Sequence, residues 1–591
     1  MRRDSTVRVP TGVLQTPAVT PPADDRPWLS QYAPGVPADI AEPTASLPRL
    51  LQEAAQRFAA RPVTDFSGAT TTYAELLSTA SRAAEALRRL GVEAGDRVAL
   101  ALPNTPQHLV AFYAVLRLGA VVVELNPLHT AEELRAQLSD CGARVVVTWP
   151  GSSAAVHEAL RAAAGPDGVL LVADLVAELP LAKRVALRLP LARARAQRAQ
   201  LVAPRPEGSR SWERAVAAAG PLDPAHPEPA LGDVAALLYT GGTTGSPKAV
   251  VLTHRNLAAN AAQGRAWVPG MREGEEVVLA VLPLFHAYGL TLCLTFAVST
   301  GACLLLLPRF DVDAVLAAWR RRPATFVPGV PPIYQRLAQA ARERGADLSS
   351  ARYALSGAMP LPPATVALWE EVTGGLLVEG YGMTEASPVA LGNPISPARR
   401  PGSIGVPFPS TRMRVVDPED PTTDVAPGQR GELLLHGPQV FAGYWRRPEE
   451  TAASLLPGGW LRTGDVVEVD ADGYVRVVDR IKELVIVGGF NVHPSEVEAV
   501  LRAHPDIDDA AVVGLPDDTT GERVAAAVVA RAGALVDTEA LRAWARERLA
   551  GYKVPSVVDL VHELPRSQLG KVLRRVVRER MARERSTRQG R

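Results

Sequence analysis

The feature that most constrains this chain is an alternation of short apolar strands with apolar helices, starting near Leu47. Residues 98–102 form an uninterrupted apolar run that ends at Pro103, which has no N–H to give a sheet. Residues 108–118 predict an apolar helix, 121–123 a strand, 130–141 a helix and 145–147 another strand. Upstream, residues 50–58 predict a helix, and residues 71–76 predict strand passing into helix. Alternation of this kind implies parallel sheets covered by helices, so the expected class is α/β. At 591 residues the chain exceeds one ordinary core, and two or more domains are expected.

Hydrophobic content of 47% and charged content of 21% fit a globular protein. A formal net charge of +1 creates no global field toward nucleic acid, and no nucleic-acid partner is expected. Cys141, Cys293 and Cys303 are far apart, so they predict core packing in a reducing compartment, not a disulfide or zinc site. Residues 1–45 are rich in Pro, Thr and Ala with little periodicity, and are expected to be a disordered lead-in. The first residues lack the apolar core of a signal peptide, which fits a cytoplasmic location. The uncharged run 287–308 is long enough to raise a membrane span. Ser299, Thr300 and Gly301 break it, so buried helix, turn and strand are expected instead.

Two charged stretches remain. Residues 181–206 hold Lys183, Arg184, Arg188, Arg193, Arg195, Arg198 and Arg205 with no acidic residue. Leu181, Val185 and Leu189 stand at helical spacing within them. The plain reading is a solvated surface helix. The sharper one is a basic amphipathic patch in peripheral contact with membrane lipid at the inner membrane face. Residues 574–591 predict a charged terminal helix with a frayed end.

Chemistry concentrates in residues 239–248. Thr240, Gly241, Gly242, Thr243, Thr244, Gly245 and Lys248 place turn-permissive backbone, hydroxyl donors and one cation in a single loop. Glycine lets N–H groups converge without a Cβ in the way, a geometry suited to polyphosphate. Ser246 and Pro247 separate Gly245 from Lys248, which excludes a Walker A loop. The stretch closely resembles the phosphate loop of the adenylate-forming superfamily: acyl-CoA synthetases, luciferase-like enzymes and adenylation domains.

Further segments resemble that superfamily in its order. Residues 283–289 resemble the acyl-pocket segment, where His286 is expected at the catalytic site as a lining residue and not as a general base. The turn at 356–361 resembles the one facing adenine, through Gly357 and Ala358. In residues 379–385 the resemblance implies Tyr381 stacked on adenine beside Gly382, Thr384 on phosphate, and Glu385 holding Mg²⁺ with Thr384 alongside. One or two hard carboxylates plus nucleotide oxygens are what Mg²⁺ requires. Asp465 matches the ribose ligand, Arg480 the ribose and phosphate contact, and Lys482 the hinge. Gly488 and Gly489 match the loop beside the coenzyme A pantetheine path. Lys571, after Gly570, matches the terminal catalytic lysine.

The resemblance spans residues 47–575. It implies a large N-terminal AMP-binding domain (46–481) of parallel-rich sheets packed with helices plus a small β-barrel-like part. It also implies a small mobile α+β lid (482–591) carrying the catalytic lysine. Residues 126–130, Gly241 and the basic insertion bring it nearest to bacterial long-chain fatty acyl-CoA synthetases. Ala249, Ser567 and His129 depart from common residues without removing a catalytic charge. The implied activity uses ATP to turn a medium- or long-chain fatty acid into acyl-AMP and then acyl-CoA. The alternatives are a fatty acyl-AMP ligase or adenylation enzyme loading a carrier protein, a luciferase-like oxidation, and a degenerate binding module. Nothing in the residues sets acyl length or oligomeric state.

Overall fold

The structure is a computed structural model that describes residues 26–192, 195, 198, 201–240, 248–487, 490–517, 520–568 and 570–589. The chain forms two compact units. One comprises Met1–Arg412 and Leu435–Leu461, the other Met413–Leu434 and Arg462–Arg591.

The first unit contains two large sheets, as the alternation predicts. In one, Val121–Glu124, Arg97–Ala101, Val145–Thr148 and Val169–Val172 are parallel neighbours. Val234–Thr240 joins beside Val121–Glu124, and Lys248–Thr253 returns antiparallel to it. In the other, Leu376–Gly382, Tyr353–Ser356, Phe326–Gly329, Val277–Ala280, Cys303–Leu306 and Pro62–Phe66 run in that order as parallel neighbours. These strands are buried on both faces, which is why they read as continuous apolar runs.

Helix ends follow local chemistry. Thr72 and Thr130 accept N–H bonds from Glu75 and Glu133, whose carboxylates bond back to the threonine N–H groups. These two capping boxes start Tyr73–Arg89 and Ala131–Cys141, the second one residue from where periodicity places it. Residues 287–308 form Ala287–Gly289, a π-helical turn Leu290–Thr295, Phe296–Ser299 and the strand Cys303–Leu306. Among the described residues no helix is long and apolar enough to cross a membrane. All three cysteines are free and buried.

Residues 26–45 belong to the stretch expected as a lead-in, yet they pack closely. Arg26 pairs with Asp39 at 2.9 Å, and the Tyr32 hydroxyl donates to Pro407 O at 2.6 Å. The Tyr32 ring stands edge-on to Trp267, and Trp28 is buried. Isolated aromatic anchors hold this segment, and isolated anchors leave no period to read. Residues 1–25 lie outside the described residues.

In the second unit, Ile507–Asp517 and Gly521–Ala530 pair antiparallel, and Val557–Leu560 runs parallel to the latter. Strand alternation sorts the core into two layers. Ala510, Val512, Val524, Ala526 and Val528 pack with Val497, Leu501 and Leu541. Ala511, Val513, Ala525 and Ala527 pack on the opposite face with Val577 and Met581 of Arg574–Gln589. A second five-stranded sheet includes the antiparallel pair Trp460–Val469 and Val475–Arg480.

Candidate active site

The functional positions expected in the first unit cluster at the carboxyl ends of neighbouring parallel strands, the usual ligand edge of such sheets. His286 follows Val277–Ala280, Gly357 and Ala358 follow Tyr353–Ser356, and Tyr381 and Gly382 end Leu376–Gly382. Thr384 and Glu385 come next, in the 3₁₀ turn Thr384–Ala386.

On the other sheet, Thr240 and Lys248 are the last and first residues of two antiparallel strands and lie opposite each other. Gly241, Gly242, Thr243, Thr244 and Gly245 lie outside the described residues. The Tyr239 hydroxyl fixes the base of this hairpin by donating to Gln137 O at 2.8 Å and Asp140 Oδ2 at 2.9 Å.

Tyr444 joins the two groups. Its hydroxyl donates to Glu385 Oε1 at 2.7 Å, and the Lys248 ammonium lies 5.4 Å from its ring centroid. Tyr444 is held in place by pairing with Val250 and by a bond from its N–H to Thr451 Oγ1 at 2.9 Å. Glu385 is 7% exposed, and its carbonyl accepts from Phe441 N–H at 2.8 Å. Sequence spacing could not reveal Tyr444, since its part arises only in space. An aromatic after Gly443 was the only local signal.

The glycines differ in what they are for. A Cβ on Gly382 would stand 1.9 Å from Pro388 O, so the hairpin's own backbone demands glycine there. A Cβ on Gly357 would meet the Tyr288 ring at 3.2 Å, and Ala358 adopts a φ of 66°. The Tyr288 hydroxyl donates to Leu355 O at 2.6 Å, which fixes the wall behind that turn.

His286 Nδ1 accepts the Tyr288 N–H at 3.2 Å, which leaves the proton of the neutral ring on Nε2. Burial pushes its pKa down to about 4, so the imidazole is a neutral donor at physiological pH and a poor base. Nearby, burial pushes the Glu379 carboxyl up to about 7, opposed by the Leu361 N–H. Val330, Ile333, Tyr334 and Leu391 are all buried.

Glu385 suits a hard divalent cation. Its Oε1 is taken by Tyr444, and Thr384 adds a neighbouring hydroxyl. Among the described residues no cluster of three or more His, Cys, Asp or Glu could hold a metal ion. A lone carboxylate with a hydroxyl fits Mg²⁺ that takes its other oxygens from a nucleotide and water.

The second unit gathers another set. Asp465 is buried and opposes Arg480 across paired strands, with Arg480 Nε on Asp465 Oδ1 at 2.8 Å. Lys571 begins where a tight turn closes: Ser567 N–H donates to Lys571 O at 2.8 Å, and Lys571 N–H to Ser567 Oγ at 3.2 Å. The serine hydroxyl thus does the backbone work available to a threonine. The Lys571 side chain reaches solvent, yet crowding by protein lowers its pKa to about 8. Desolvation is the main cause and Arg480 the next, while Glu483 and Asp465 oppose them. The backbone of Lys482 lies in the 3₁₀ turn Ile481–Glu483. That turn is braced by Ser495 Oγ on Asp479 Oδ2 at 3.0 Å and by a Glu483–Arg574 ion pair. Gly488 and Gly489 lie outside the described residues.

Residues 51–445 match the AMP-binding enzyme family, and residues 496–571 match the AMP-binding enzyme C-terminal domain. A long-chain-fatty-acid–CoA ligase of Bacillus subtilis (strain 168) is 39% identical over 557 residues, which cover 93% of this chain and 97% of the relative. Another, from Salmonella typhimurium, is 37% identical over 556 residues, covering 93% and 98%. Among solved structures, ATP-bound MatB from Rhodopseudomonas palustris aligns with a TM-score of 0.77 at 31% identity, covering 91% of this chain and 99% of its own.

Proposed function

The chain belongs to the AMP-binding enzyme family, and from that premise we propose that it is a long-chain-fatty-acid–CoA ligase. It uses ATP to convert a medium- or long-chain fatty acid to acyl-AMP, then to acyl-CoA. The observation that carries the reading is the Lys248–Tyr444–Glu385 cluster beside the carboxyl ends of the parallel strands.

In the first half-reaction, a carboxylate oxygen of the acid attacks the α-phosphorus and the bond to pyrophosphate breaks. The acid is already ionised at pH 7, so no general base is required. This fits a His286 that stays neutral and donates through Nε2. The obstacle is the approach of an anion to a polyanion. Lys248 and the 240–245 loop offset the charge of the phosphates, and Lys571 offsets charge at the carboxylate and α-phosphate. Mg²⁺, held through Glu385 with Thr384 beside it, supplies further counter-charge when bound. Tyr381, Gly357 and Ala358 receive adenine, and Asp465 with Arg480 receives ribose.

In the second half-reaction, the sulfur of coenzyme A attacks the acyl carbon, AMP leaves, and the thiol proton passes to solvent. Lys571 has no evident task in this step. A lid of residues 482–591 that turns about Lys482 would withdraw it and open the pantetheine path past Gly488 and Gly489. A short turn such as Ile481–Glu483 could absorb such a motion in a few dihedrals. Peripheral contact with membrane lipid belongs to the same proposal, since the acid partitions into bilayers.

Pyrophosphate–ATP exchange tests the first step. Exchange that requires both a fatty acid and Lys571 supports the reading. Exchange without any acid, or none with any fatty acid, removes it.

A further inference from the structure

One ion-pair network in the second unit has no task in the reaction described above. Arg574 opens the terminal helix Arg574–Gln589, three residues after Lys571. Its guanidinium forks between two carboxylates from other elements. Nε and Nη2 donate to Glu498 Oε1 at 3.1 and 2.9 Å, Nη2 also donates to Glu498 Oε2 at 2.9 Å, and Nη1 donates to Glu483 Oε2. Glu498 belongs to the helix Pro494–Arg502 and is buried. Its Oε1 also accepts the Val512 N–H at 2.8 Å. Glu483 closes the 3₁₀ turn Ile481–Glu483. A planar guanidinium spans two carboxylates in this way, and a lysine ammonium does not reproduce the fork. A buried carboxylate with this many partners is an anchor, unlike a solvated surface pair.

The anchor bears on Lys571. Val572 faces Arg566 in an isolated antiparallel bridge, and Leu573 N–H donates to Pro565 O at 2.8 Å, so little slack separates Lys571 from Arg574. Burial by protein lowers the Lys571 pKa most; Arg480 and Arg574 lower it further, while Glu483 and Asp465 raise it. Asp465 and Arg480 come from the paired strands Trp460–Val469 and Val475–Arg480 and pair with each other. Arg574 and Glu483 pair likewise. Removing either member of that second pair therefore leaves the charge of the other less compensated beside Lys571.

We infer that Arg574 is a positioning residue for Lys571: it ties the lysine's segment to Glu483 and Glu498, and with Glu483 it fixes the charges that the ammonium meets. Its use in adenylation rests on the function proposed above. The arrangement itself does not.

The pH dependence of amine labelling at Lys571 in the full chain, read by peptide mass spectrometry, tests this without turnover. Only the neutral amine reacts, so the wild-type midpoint is expected near pH 8. Arg574→Gln removes a cation and releases Glu483, so the midpoint should rise by about half a pH unit or more. Glu483→Gln removes a carboxylate and leaves Arg574 less compensated, so the midpoint should fall by about as much. Arg574→Lys keeps the charge and should stay nearer to wild type than Arg574→Gln does. A merely structural role would admit water in both glutamine variants and raise both midpoints. Midpoints that rise together, or that do not move, overturn the proposal. So does an Arg574→Lys midpoint as high as that of Arg574→Gln. If Arg574→Gln fails to fold, the downward movement in Glu483→Gln decides alone. The alkaline limb of pyrophosphate–ATP exchange should move with each midpoint. If labelling moves as expected while exchange never depends on Lys571, the arrangement stands and the adenylation role of Lys571 falls.

Discussion

Lys571 can serve as counter-charge only while protonated, and its surroundings lower its pKa to about 8. Raising the pH through about 8 should therefore discharge it and slow adenylate formation. Thioester formation from supplied acyl-AMP should not follow that profile. His286, with a pKa near 4, adds no titration in this range. Lys571→Ala should reduce adenylation by about 10²-fold or more while sparing the second half-reaction. Equal loss of both would end that division of labour. Tyr444→Phe keeps the ring beneath Lys248 but removes the hydroxyl from Glu385. A hydrogen bond to a charged group contributes about 1.5–3 kcal/mol, so pyrophosphate exchange should fall about tenfold or more. Its half-saturation for Mg·ATP should also rise. Unchanged exchange would detach Tyr444 from the site. Candidates such as Tyr381, Asp465 and Lys571 stand out along the chain because each lies beside a glycine. The part of Tyr444 could not be read there, because its neighbours Lys248 and Glu385 meet it through folding alone.

At the scale of elements, periodicity read well where burial is regular. The run at 98–102 is the strand Arg97–Ala101, and the helix expected at 130–141 is Ala131–Cys141 behind its Thr130 cap. It read poorly at residues 26–45, where Trp28 and Tyr32 act singly. Nor could it tell why Gly382 is glycine, since the close approach of Pro388 O belongs to the folded hairpin. Gly382→Ala should destabilise by about 1–3 kcal/mol or more, measured as a lower denaturation midpoint of that unit. Wild-type stability would show that the hairpin yields freely. The turn Ile481–Glu483 invites a different substitution. Lys482→Pro fixes one dihedral there, and adenylation should survive it better than thioester formation. Identical rates to wild type in both steps would move the hinge elsewhere.

Across the whole molecule, each of the two compact units gathers candidate site residues that are remote in sequence. One brings Lys248, Tyr444 and Glu385 together. The other brings Asp465 beside Arg480 and sets Lys571 within their field. Class and family were legible because strand alternation and ordered motifs are linear signals. Acyl length was not, because the volume of an acyl pocket is set by packing in space and not by residue identity along the chain. The most direct measurement is AMP release from ATP across fatty acids of increasing chain length, with and without coenzyme A. Multiple turnovers that need both a medium- or long-chain acid and coenzyme A, with acyl-CoA as product, are expected. AMP release indifferent to coenzyme A, or sustained only by a carrier protein, would contradict the assignment.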